Sequence, residues 1–160
     1  MTYQHDRSEI ATIARKLMNQ HGLGGWIFAW DNCKTSFGMC RYSKRTITLS
    51  STLLNFTPRH EVIDTILHEI AHALTPGAKH GYVWQQKARQ IGASPNRCKE
   101  TNMTATEKES IANYAHVCPR CDKHSFFNRL TRKRQISRFF CTICFRKTGE
   151  KFYVHTKKLS

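Results

Sequence analysis

Residues 68–72 read His68-Glu69-Ile70-Ala71-His72, a spacing that suits metal-assisted hydrolysis. On a helix, residues four apart share a face, so both imidazoles can reach one ion. Glu69 falls about 100° further round. There it can take a proton from a water beside the ion without joining the ligands. With nine His and seven Glu in 160 residues, the pattern would arise by chance in roughly two such chains in a hundred. Two unpaired histidines and a carboxylate on a buried helix would also be costly, which favours a metal site over core histidines. The third ligand separates protease types. A metzincin would need Gly at position 75 and His at 78, where this chain has Thr75 and Ala78. A thermolysin-like site wants a downstream Glu, and residues 81–99 contain neither Asp nor Glu. His80 remains, on the same expected helical stripe as Trp84, Ala88 and Ile91. That stripe should pack on the helix of His68 and His72 and turn His80 toward them. Three nitrogens leave the fourth position of a tetrahedral zinc open, as a catalytic site requires; zinc follows from the ligand type.

A second ion is implied further on. Cys118/Cys121 and Cys141/Cys144 form two Cys-x-x-Cys pairs with 19 residues between them. This is the form of a four-cysteine zinc ribbon. Four thiolates close the coordination shell, so this zinc should be structural and should hold a small module together. The expected cofactors are therefore two Zn2+ ions, one catalytic and one structural. Cys33, Cys40 and Cys98 are scattered; Cys33 and Cys40, across the first hairpin, read as free thiols of a reducing compartment.

Charge adds a partner. Lys and Arg number 26 against 11 Asp and Glu, a net +15. The excess is uneven: residues 1–110 hold 14 basic and 9 acidic side chains, residues 111–160 hold 12 and 2. Such density attracts polyanions. Between the cysteine pairs, Arg129, Arg132, Lys133, Arg134 and Arg138 alternate with Phe126, Phe127, Phe139 and Phe140. Cations neutralise phosphates and aromatic rings stack on unpaired bases, so the Arg/Lys run is the expected nucleic-acid contact, with some of the Phe kept as core. No base-reading motif is visible, so binding should be largely independent of DNA sequence and weaken with salt.

The elements that must position these groups are legible in outline. Ile10, Ile13, Ala14, Leu17 and Met18 give a first helix, stopped at His21-Gly22. Trp26–Trp30, Phe37–Tyr42 and Arg45–Leu49 read as three short strands in an antiparallel meander. Pro58 opens a second helix in its first turn. It runs to Leu74 and is apolar on more than one face, as befits the buried centre of a domain. A third helix is expected from His80 to Ile91, a linker over 93–103, and a short helix to Tyr114 with a capping box at Thr104/Glu107 or Thr106/Glu109. Later strands are expected over Ser125–Leu130, Gln135–Phe140 and Lys151–His155, with the cysteine pairs on turns between them. His21, His60, His116, His124 and His155 have no motif context.

Hydrophobic residues make up 39% of the chain, enough for a modest core and incompatible with disorder throughout. No apolar run approaches the roughly 20 residues needed to cross a bilayer, and the polar N-terminus lacks the apolar stretch of a secretory signal. Membrane spanning and signal-directed secretion are therefore not expected.

Tyr42-Ser43-Lys44-Arg45-Thr46-Ile47-Thr48-Leu49-Ser50, the segment from Glu61 to Leu74 that carries the histidine motif, and His80-Gly81-x-x-Trp84 agree in order and spacing with the SprT-like domain, which this chain resembles. The resemblance spans roughly residues 8–155, since members often carry a zinc ribbon after the protease domain. It implies an α+β, zincin-like protease domain over 1–103, with helices on a small antiparallel sheet and the HExxH motif on its central helix. A connecting helix and a basic four-cysteine zinc ribbon would occupy 104–160. It also implies a zinc endopeptidase related to the Spartan proteases, which degrade proteins crosslinked to DNA and are switched on by DNA. His68, His72 and His80 would hold zinc and Glu69 would serve as general base. DNA, protein substrates on DNA and the enzyme itself, through self-cleavage, are the expected partners. The chain ends soon after the ribbon, which places it nearer the short bacterial and viral type, inside a bacterial-type cell or virus-encoded. The rival readings are a non-proteolytic nucleic-acid-binding regulator with a structural or vestigial HExxH zinc and, last, a metal-dependent ribonuclease.

Overall fold

The computed structural model describes residues 3–96, 103–132, 134 and 138–159. It divides into two units, Met1–Met103 and Thr104–Ser160. Both mix helix and strand, so the fold is α+β. Among the described residues, no helix is long and apolar enough to cross a membrane.

In the first unit, helix α1 (Arg7–Gln20) starts where the Asp6 carboxylate accepts from the amides of Ser8 and Glu9, an N-cap that satisfies two otherwise orphaned donors. Its apolar stripe of Ile10, Ala14 and Met18 is buried against Phe28, Ile47, Val62, Ile66 and Ile70. Helix α2 (Arg59–Leu74) follows Pro58, which stands just before the first helical residue rather than within the first turn. α2 lies against α1, two strands of the sheet and α3 (Tyr82–Gln90), so it is buried on several sides, as its apolar breadth predicts.

The sheet differs from the expected meander. Strands β1 (Ile27–Asp31), β2 (Gly38–Arg41) and β3 (Thr46–Ser50) lie in the order β1-β3-β2, with β1 parallel and β2 antiparallel to β3. The reason is burial and local bonding. β3 is the most buried strand, with Ile47, Thr48, Leu49 and Ser50 all inside, and must sit in the middle. Asp31 then locks the parallel pair: its carboxylate accepts from the Thr48 hydroxyl at 2.7 Å and the Cys33 amide at 2.9 Å. β2 is left at the edge, packed on α2.

The third helix begins two residues later than its pattern suggested. Gly81 occupies the position before it, and His80 belongs to the preceding turn, closed by the Gly81 amide on the Ala78 carbonyl at 3.0 Å.

In the second unit, helix α4 (Ala105–Ile111) carries the capping box of Thr104 and Glu107. Strands β4 (Tyr114–Val117), β5 (His124–Phe127) and β6 (His155–Lys158) form an antiparallel sheet in the order β5-β4-β6. β5 starts and ends earlier than expected, and β6 replaces the strand read at Lys151–His155. Of the Gln135–Phe140 segment, residues 135–137 lie outside the described residues, and Phe140 makes an isolated bridge to Tyr153. The second cysteine pair does not sit on a turn between strands. Cys141 precedes helix α5 (Thr142–Thr148), which contains Cys144 and ends at Gly149 in the left-handed conformation, φ 73°.

Candidate functional site

Helix α2 carries His68 and His72 one turn apart, and the turn after it delivers His80. The three Nε2 atoms converge: His80 Nε2 stands 3.1 Å from that of His68 and 3.0 Å from that of His72. A tetrahedral zinc with bonds of about 2.0–2.1 Å spaces its nitrogens by about 3.3 Å. The three imidazoles are thus close enough to hold one ion, and their nitrogens are of the type zinc favours. All three imidazoles are half-buried. Burial, with His80 beside it, pushes the pKa of His72 down to about 4, which keeps that ring neutral and its lone pair available.

Trp84 forms the floor. It is fully buried with Ala71, Ala88 and Ala93. Its ring centroid lies 4.6 Å from those of His68 and His80 and 5.1 Å from that of His72. Trp84 and Ala88 form the helical stripe read from the sequence, although His80 reaches the site from the turn.

Glu69 is 7% exposed and points to the sheet side. Burial raises its pKa to about 7, opposed by a hydrogen bond from the backbone N–H of Cys40. A divalent cation beside it would favour the carboxylate again. Sequence reasoning missed Gly38, whose importance is tertiary: a Cβ there would lie 2.9 Å from Glu69 Cγ. The histidines, Glu69, Gly38, Met39, Cys40 and Tyr42 line an open cleft of about 970 Å³.

The four cysteines of the second unit also converge. Cys118 and Cys144 sulfurs lie 3.8 Å apart and those of Cys121 and Cys141 3.7 Å apart. Tetrahedral zinc–thiolate bonds of about 2.3 Å would space sulfurs by about 3.8 Å. Backbone N–H groups of Cys121 and Arg120 lower the Cys118 pKa to about 7, and those of Cys144 and Ile143 lower that of Cys141. Burial together with neighbouring sulfurs pushes Cys144 up to about 12. Four thiolates can share this space only around a cation. Cys33 and Cys40 are free and half-buried; Cys98 lies outside the described residues.

Of the expected nucleic-acid contacts, Arg129, Arg132 and Arg138 are exposed and Arg134 is half-buried; Lys133 lies outside the described residues. The Arg134 guanidinium lies 4.5 Å over the Phe127 ring and donates to the Arg129 carbonyl at 3.0 Å. Phe127 is buried, while Phe126, Phe139 and Phe140 are half-buried and line a pocket of about 410 Å³ with His116, Lys123 and Arg134. His116 has no motif to mark it in the sequence, yet it packs edge-on against Phe127 and Phe139 at 4.6 and 5.3 Å.

Known proteins share parts of this chain. Over 69 residues it is 36% identical to the DNA-dependent metalloprotease SPRTN of Danio rerio, a match covering 41% of this chain and 10% of that protein. The chain thus spans only a small part of that relative's length. The metallopeptidase zymogen of Methanocaldococcus jannaschii jannalysin, a crystal structure, aligns over 68% of this chain and 91% of its own, with 15% identity and a TM-score of 0.46. The SprT-like family matches residues 8–107, the whole of the histidine centre and its sheet, and the chain belongs to that family.

Proposed function

We propose that this chain is a zinc-dependent endopeptidase of SprT type that cleaves proteins bound or crosslinked to DNA and is activated by DNA. The observation that carries the reading is the convergence of the His68, His72 and His80 nitrogens beside a buried carboxylate in an open cleft. His68, His72 and His80 would hold a catalytic zinc, and Cys118, Cys121, Cys141 and Cys144 a structural one. When bound, the catalytic ion supplies Lewis acidity for water activation and carbonyl polarisation. Glu69 takes the proton of the attacking water and returns it to the departing amine. The Cys40 amide and the close approach of Gly38 hold its carboxylate in one place. Burial of Glu69 keeps its basicity high enough to accept that proton near neutral pH.

The domain reading follows the same lines: residues 1–103 form the protease unit and 104–160 a connecting helix with a basic ribbon. The SPRTN relative is named as DNA-dependent, and the aromatic pocket with Arg134, beside exposed Arg129, Arg132 and Arg138, suits single-stranded or unpaired nucleic acid. Lys133 and the other cations would add sequence-independent phosphate contacts. Self-cleavage and an intracellular, reducing location fit this reading, the latter because four thiolates must stay reduced.

The test is a cleavage assay with zinc-loaded protein and a DNA-binding substrate, run without DNA, with duplex DNA and with single-stranded DNA. Cleavage that depends on DNA and vanishes in Glu69→Gln supports the proposal. Intact substrate and enzyme in every lane, with DNA binding retained, would replace it with a non-proteolytic nucleic-acid-binding protein.

A further inference from the structure

His72 is the third residue from the end of α2, among the four whose carbonyls lack the usual helical partner. Its carbonyl would ordinarily accept from the amide of residue 76. That residue is Pro76, which has no N–H. Two groups replace the missing donor. The Thr75 amide closes a tighter bond to the His72 carbonyl at 3.1 Å, while the Thr75 hydroxyl takes the Ala71 carbonyl at 2.7 Å. The second donor to His72 comes from across the cleft: the Tyr42 hydroxyl, 30 residues earlier, donates to the His72 carbonyl at 2.5 Å.

Tyr42 is well placed to hold its position. It opens a single 3₁₀ turn, Tyr42–Lys44, directly after edge strand β2, and the Arg45 amide closes that turn on the Tyr42 carbonyl at 3.0 Å. Its ring meets Trp26 edge-on at 6.3 Å. We infer that Tyr42 is a positioning residue of the metal centre, its phenol adding a second, long-range anchor to the His72 carbonyl, which Pro76 cannot serve and the Thr75 amide holds only locally. The bond fixes the last turn of α2 against the sheet, and with it the direction in which the His72 imidazole points. A frayed last turn would carry that nitrogen away from the 3.0 Å approach to His80. The inference rests on the reading of His72 as a ligand.

The test uses the full chain, zinc-loaded and titrated with a chelator while retained zinc is counted. The cysteine-held ion is the internal reference, and His72→Ala identifies the histidine-held phase. Tyr42→Phe keeps the ring and removes only the hydroxyl. It is expected to weaken zinc retention in the histidine phase about tenfold, the lower end for groups that orient a ligand, with the cysteine phase unmoved. Cobalt in the histidine site should also show a shifted visible band. A histidine phase and cobalt band identical to wild type in Tyr42→Phe, with His72→Ala still abolishing that phase, overturns the inference and leaves the metal reading intact. A wild-type titration in His72→Ala removes the metal reading, and the inference with it. Loss of both phases in Tyr42→Phe, together with loss of helical far-UV signal, assigns Tyr42 to folding and also overturns the inference.

Discussion

Gly38 and Glu69 are in direct contact: a Cβ added to Gly38 would stand 2.9 Å from Glu69 Cγ and 3.1 Å from its Oε1. Neither can retreat easily, because Gly38 is paired with Leu49 in the sheet and Glu69 is rooted in the buried face of α2. The edge strand therefore sets where the carboxylate can be.

Gly38→Ala is expected to displace that carboxylate by several tenths of an ångström. Overpacking of this kind costs about 1–3 kcal/mol of stability, and small misplacements of a reacting group can lower turnover by on the order of 100-fold. Steady-state peptide cleavage, set beside a denaturant melt, checks both. Unchanged kcat would show that the carboxylate tolerates the shift.

The pH dependence of the metal-free fold should carry the signature of Glu69. Its pKa is raised from the usual carboxylate range to about 7 by burial, so the folded state holds the proton more tightly than the unfolded chain. That contribution is present below about 4.5 and is lost as pH rises through 7. His72, lowered to about 4, acts the other way: its contribution is lost as pH falls from about 6.5 toward 4. The clean measurement is a difference. In chelator-treated protein, Glu69→Gln should gain stability relative to wild type as pH is raised from 4.5 to 7, read from melting curves of both. A pH-independent difference would contradict the buried-carboxylate account.

Trp84 offers a spectroscopic handle on the histidine centre. Its ring lies 4.6 to 5.1 Å from all three imidazoles, within reach of a bound paramagnetic ion. Cobalt added to chelated, zinc-ribbon-reconstituted protein should quench part of the tryptophan emission, leaving most of that of Trp26 and Trp30. The quenched fraction should disappear in His80→Ala. Full quenching in that variant would place the cobalt elsewhere.

The cysteine cluster makes a different prediction, because the residues proposed as its ligands are also its core. Buried Cys118, Cys141 and Cys144 form one cluster, joined by Ile143, Phe152 and Val154. Removing one ligand should remove both the ion and the packing, since apparent zinc binding in such modules is on the order of 10 kcal/mol of folding free energy. Cys144→Ser is expected to lose one zinc equivalent and to make residues 104–160 protease-sensitive. Mass-resolved limited proteolysis would show a surviving fragment near residues 1–103. Retention of both zinc equivalents would refute the four-sulfur site.

How far these centres can be read from the sequence depends on how local their causes are. His68, Glu69 and His72 share one helix, so their spacing alone brings them together. Thr104 and Glu107 cap a helix within four residues, and that too is visible, as one of the two boxes the pattern allows. His80 is found by elimination, and its route differs: a turn delivers it, because Gly81 stands just before α3. Strand order is not local at all. Nothing in Trp26–Trp30 says that it will run parallel to β3; the buried middle strand and the Asp31 lock decide it. Helix α5 carried a signal, Arg146 and Lys147 before Gly149, which the cysteine spacing obscured. Gly38, Tyr42 and His116 could not be singled out, since each matters through a neighbour brought near by the fold.

The burial of Trp84 has one more consequence. With Ala71, Ala88 and Ala93 packed about it, it seals the rear of the three imidazoles, while the opposite side opens into the cleft between α2 and edge strand β2. The centre is insulated on one face and wetted on the other. Among the described residues of the first unit, the open side of the three imidazoles is the cleft beside β2, so an ion held there, its water and a peptide would all meet on that side.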